Sequence, residues 1–188
     1  QLAEGYYAEK SELTSFPGED TQLLWTYDTG LGLVMTGIRT PVFHEAMAMR
    51  LGERALVLGD PNGDALSLWL AANFSREIDS PEGYANPAYA AARREALYYA
   101  VAAGAAASER VLGRALDAND TPLARRALPA VERTAGSAGL WATGTGRRPL
   151  LEALSYPNRR VQYEAALALA SAQPTSPFPG SERVVPTL

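Results

Sequence analysis

The sequence predicts an all-α fold of short helix pairs stacked on one another, and three observations carry that prediction. The stretch Pro149 to Ser171, PLLEALSYPNRRVQYEAALALAS, spells two helices with Pro157-Asn158 at the turn between them. Its second helix places Val161, Ala165, Ala168, Leu169 and Ala172 on one apolar stripe, since they recur at the three- and four-residue spacing of a helix face. An earlier stretch, Val111 to Arg133, aligns with it without a gap, so that Leu116 falls on Leu154, 38 residues on. In that alignment Asp120 meets Asn158, and Leu123, Ala127, Ala130 and Val131 meet Val161, Ala165, Ala168 and Leu169. Two short helices cannot cover their own apolar faces, so each pair calls for a neighbour.

Taken in order, residues 1–40 form an irregular N-terminal segment. Leu2 to Leu13 and Asp20 to Tyr27 read as short helices, separated by Ser15-Phe16-Pro17-Gly18. Residues 28–40, DTGLGLVMTGIRT, read as a loop or a short extended segment. Residues 41–104 form a helical region. Pro41 opens a helix capped by Thr40 and running to about Leu58. A turn at Gly59 to Gly63 follows, then a second helix from Asp64 to about Ile78, with Asp64 as its cap. Ser80 to Asn86 is a Pro/Gly linker, and Pro87 starts a long helix to Ala103 that Gly104 stops. Residues 105–188 hold the repeats: helices at 106–117 and 121–135, a small-residue loop carrying Trp141, and the pair at 149–172. Ser181 caps a last helix, and Pro186, 37 residues after Pro149, makes it read as a third unit cut off in its first helix.

This pattern over residues 106–188 resembles the HEAT-repeat family, with Asp or Asn at the turn and V-x-x-x-A-x-x-A-L in the second helix, here Asn158, Val161, Ala165, Ala168 and Leu169. Gln162 stands where the family usually has Arg. The resemblance implies an alpha-alpha superhelix, a right-handed solenoid of antiparallel helix pairs, acting as a non-enzymatic protein- or peptide-binding scaffold. Residues 55–66, ALVLGDPNGDAL, resemble the helix-turn-helix joint of tetratricopeptide repeats, with Gly59 as one residue too many.

Composition narrows the function. Apolar residues at 47% and charged residues at 20% fit a folded chain. Residues 1–64 carry 4 basic and 10 acidic side chains and the remainder 13 and 11, so neither part is basic enough for nucleic acid. Of the 17 basic residues only Lys10 is a lysine, a bias expected of a GC-rich, bacterial coding sequence. No cysteine is present, which removes disulfides and thiolate chemistry. No apolar run is long enough to span a membrane. A start at Gln1 rather than Met favours an exported, processed chain over a cytoplasmic one.

No catalytic, cofactor or metal constellation emerges. His44 is the lone histidine, and Ala48 stands where a zinc-protease helix needs the second one. Asp60-x-Asn62-x-Asp64 begins like a calcium loop, but Ala65 and Ala71 replace the required glycine and glutamate. Gly30-x-Gly32 lacks the third glycine of a phosphate cradle, and the Asn73-Phe74-Ser75 sequon falls inside a helix. The arginine pairs at 125/126, 147/148 and 159/160, joined by Trp141, Tyr156 and Tyr163, define a candidate partner-binding ridge: Arg125, Arg126, Trp141, Arg147, Arg148, Tyr156, Arg159, Arg160 and Tyr163. Solvated ion pairs and core packing are the plainer explanations of the same residues. Two alternatives remain open, a helical-repeat enzyme with Trp141 and Arg147-Arg148 at its site, and a regulatory or sensory module of a longer protein. The C-terminal end, residues 176–188 with Val184, Val185 and Leu188, is expected to self-associate, or to be disordered where nothing docks on it.

Overall fold

The computed structural model describes residues 1–134, 146–172, 177–178 and 180–188, and the chain divides into two compact units, Gln1–Arg94 and Glu95–Leu188.

The all-α expectation fails in the first unit. Helix α1 (Leu2–Tyr7) is followed by an antiparallel hairpin, β1 (Thr21–Asp28) and β2 (Gly32–Arg39), in register from Thr21↔Arg39 to Asp28↔Gly32. Residues 20–27, expected as a helix, form β1 because TQLLWTYD is rich in Thr and aromatic residues, which pack well on a pleated surface. Burial follows the two-residue period of a strand: Gln22 and Leu24 point inward while Trp25 and Tyr27 point out. The turn is fixed by Asp28, whose Oδ1 accepts the N–H groups of Gly30 at 2.8 Å and Leu31 at 2.9 Å. Gly32 then takes φ 78°, open to glycine without strain. Residues 28–40, read from the sequence as either a loop or a short extended segment, take the extended form because β1 pairs with them.

Helices α2 (Phe43–Leu58) and α3 (Asp64–Ile78) pack against each other in this unit. Gly52 lets them approach closely, since a Cβ there would lie 3.3 Å from Trp69 Cβ. Pro41 sits in a 3-10 turn, Thr40–Val42, ahead of α2. The cap of α3 comes from Asp60, whose Oδ2 accepts the Leu66 N–H at 2.9 Å, rather than from Asp64. The core joins Leu24 and Ile38 of the hairpin to Phe43 and Ala46 of α2, with Tyr6, Met47 and Tyr89 against them. Buried Gln22 is satisfied by both backbone groups of Phe16, accepting at 3.0 Å and donating at 2.7 Å. The long helix expected from Pro87 does not form. Asn86 Oδ1 accepts the Ala88 N–H in a local turn, and the Arg93 guanidinium lies over the rings of Tyr89 (4.5 Å) and Trp69 (5.6 Å), holding residues 87–94 in irregular chain.

The second unit contains α4 (Ala96–Ala103), α5 (Ala105–Asp117), α6 (Thr121–Thr134), α7 (Pro149–Ala153), α8 (Arg159–Ser171) and α9 (Ser181–Thr187). Helix α5 packs on α6, α5 on α7 and α6 on α8. The two turns 38 residues apart share their chemistry. Asp120 Oδ1 accepts the Leu123 N–H at 2.9 Å, and Asn158 Oδ1 accepts from Arg160 at 2.9 Å and Val161 at 3.4 Å. Leu123, Ala127, Ala130, Val131, Val161, Ala165, Ala168 and Leu169 are all buried. Gly180, at φ 91°, precedes α9, so Ser181 is its first helical residue and not its cap.

Candidate functional site

The arginine ridge expected from the sequence is largely engaged within the second unit. Arg125 donates two bonds to Glu164 Oε1, at 3.0 and 2.8 Å, and this ion pair raises the guanidinium pKa. Arg147 is clamped between Asp117 (2.7 and 2.8 Å) and Glu152 (2.8 Å), which raises its pKa and holds the Asp117 carboxyl below its usual range. Arg148 is the half-buried residue ahead of α7. Tyr156 is buried, its hydroxyl 3.1 Å from Thr121 Oγ1, so it braces the packing and faces no groove. Arg126, Arg159, Arg160 and Tyr163 are exposed. Trp141 lies outside the described residues.

The first unit presents a surface that the sequence did not advertise. The N–H of Thr40 donates to the Asp20 carbonyl at 2.9 Å, which makes even-numbered positions of the hairpin the hydrogen-bonded pairs. Odd-numbered residues therefore turn their N–H and C=O groups outward. Two further bonds agree: the Trp25 carbonyl accepts from Arg50, and the Arg39 N–H donates to Tyr84 Oη at 3.1 Å. On β1 the outward edge is thus engaged by Arg50. On β2 the outward N–H groups of Leu33, Met35 and Gly37 have no partner among the described residues.

The same odd-numbered residues carry a row of large apolar side chains. Trp25 faces Met35 and Tyr27 faces Leu33 across the strands, with Leu31 at the tip. Their exposures are 50%, 53%, 73%, 71% and 80% respectively. Together they leave roughly 600 Å² of mostly apolar surface, at the upper end of the largest apolar patch that a folded monomer shows. Alternation in TQLLWTYD and GLVMTGIR was the signal that could have found this face, had both segments been paired.

No family model, curated protein or solved structure matches this chain.

A third feature of the first unit is chemical. Glu45 on α2 is 2% exposed, with its Oε2 buried and without a hydrogen-bond partner. Burial pushes its carboxyl up to about 8, opposed by its own backbone N–H and reinforced by repulsion from Glu9 and Asp79 and by a side-chain hydrogen bond with Glu9. Nearby, His44 Nε2 is 2.9 Å from Thr14 Oγ1 and its ring packs against Tyr6 and Phe43. It is a packed helix residue, as the sequence suggested, and with Glu9, Thr14, Asp20 and Arg39 it lines a cavity of about 540 Å³. Among the described residues no helix is long and apolar enough to cross a membrane.

Proposed function

We propose that this chain is a non-enzymatic protein-binding module that captures an extended peptide segment on the β1–β2 hairpin. The observation that supports this is the coincidence, on one strand, of unpartnered outward N–H groups and a bare apolar face. An incoming strand pairing with β2 would satisfy Leu33, Met35 and Gly37, and its alternate side chains would lie beside Leu33 and Met35, with the large rings of Trp25 and Tyr27 one strand further on the same face. A two-stranded hairpin gains stability from a third strand, so binding and ordering reinforce each other. The arginines expected to recruit the partner are weaker candidates, because Arg125 and Arg147 already hold carboxylates.

A random peptide library displayed on phage and selected against the protein tests this. Selected peptides are expected to alternate apolar and polar residues. Trp25→Glu is expected to weaken them by roughly 30-fold, the effect of losing an interface aromatic. Met35→Pro removes an outward N–H together with one apolar side chain of the row and is expected to weaken them by about 10-fold. Arg159→Glu with Arg160→Glu is expected to leave binding unchanged. Peptides that tolerate both hairpin variants and fail on the arginine variant would move the site to the second unit.

A further inference from the structure

We infer that the first unit also holds a hard divalent cation of calcium's size between Glu9, Glu45 and Asp79. One carboxylate oxygen from each lies within 4.8 Å of the other two. Three oxygens bound to one ion at 2.3–2.6 Å stand roughly 3 to 4.5 Å from one another, so these acids are within reach of a calcium-sized ion, while magnesium asks for shorter bonds and a more regular octahedron. All-carboxylate donors select a hard cation over zinc or copper.

The second, independent sign is Glu45 itself. A carboxylate oxygen that is fully buried and lacks any hydrogen-bond partner is costly, and such atoms are rare in folded proteins. Neither Glu9 nor Glu45 is ion-paired with a basic side chain among the described residues. The elements place the three acids deliberately. Asp79 is the C-cap of α3, where the helix already presents the negative end of its dipole and its unpaired carbonyls. Glu9 sits just past α1 at φ 50°, a conformation uncommon for a residue with a side chain. Glu9 and Asp79 are exposed, so water can complete a shell of six to eight ligands. The pattern is scattered over positions 9, 45 and 79, which is why no loop motif betrays it.

Isothermal titration calorimetry and thermal melting with CaCl2 or MgCl2 at pH 8 test the site, after treatment with a chelator. Calcium is expected to bind once per chain, at least about 10-fold tighter than magnesium, and to raise the melting temperature. Glu45→Gln keeps the side chain's shape and is expected to weaken calcium at least about 30-fold, leaving a folded protein that calcium no longer stabilises. Asp79→Asn, at an exposed position, is expected to weaken calcium about 10-fold without loss of fold. Wild-type protein that neither binds nor is stabilised by about 10 mM CaCl2 overturns the inference, and so does a Glu45→Gln variant that binds as well as the parent. Because these readouts need no peptide, they stand or fall separately from the hairpin proposal.

Discussion

At the scale of single residues, Glu45 controls how the first unit responds to pH. Its folded carboxyl titrates near 8 against 4.5 for the free group. Between those values the folded state holds a proton that the unfolded state has released, so raising the pH favours unfolding. In chelator, the contribution of Glu45 to stability is therefore expected to be complete below about pH 4.5 and to be lost, by up to roughly 5 kcal/mol, as the pH rises through 8. Urea midpoints taken across that window check it, and Glu45→Gln is expected to flatten the profile. A wild-type curve that rises with pH would mean that Glu45 is ionised and compensated when folded. No local pattern signals this residue's burial, because the helix face that carries it is set by α1 and α3 packing around α2.

Elements divide into those whose pattern is local and those whose pattern needs a partner. Helices α5, α6 and α8 were legible because their apolar stripes and capping residues lie within each segment. The hairpin was not, since TQLLWTYD has enough Leu and aromatic content to satisfy a helix until Gly32–Arg39 is laid beside it. The stripe of α8 makes a firm prediction. Ala165 is fully buried, so Ala165→Arg forces a long unpaired charge into close packing and is expected to cost about 3 kcal/mol or more by chemical denaturation. Stability equal to the parent's would remove Ala165 from the core. Glu164, which spacing alone places in solvent, is ion-paired with Arg125. Glu164→Arg puts like charges together there and is expected to cost about 1 kcal/mol, the scale of a half-exposed pair, and less at high salt. At the end of the second unit Val184 is buried and α9 packs on α8, while Val185 and Leu188 are exposed.

At the scale of the whole molecule, the all-α class is replaced by a first unit that mixes a hairpin with helices and a helical second unit. Charge contrasts in the same way, with acidic residues crowded into positions 1–64, among them Glu9 and Glu45 of the cation site. Chemistry thus concentrates in the first unit, although the clearest sequence signal came from the second. The physical reason is that repeated packing writes itself into the sequence at a fixed spacing, while a binding surface needs only a few residues brought together by the fold. The most direct test of the proposed role is residue-resolved amide exchange with and without a library-selected peptide. Slowed exchange is expected at the outward amides of Leu33, Met35 and Gly37, with little change at the already paired Val34 and Thr36. Protection confined to α6 and α8, with those three amides unaffected, would contradict a binding hairpin.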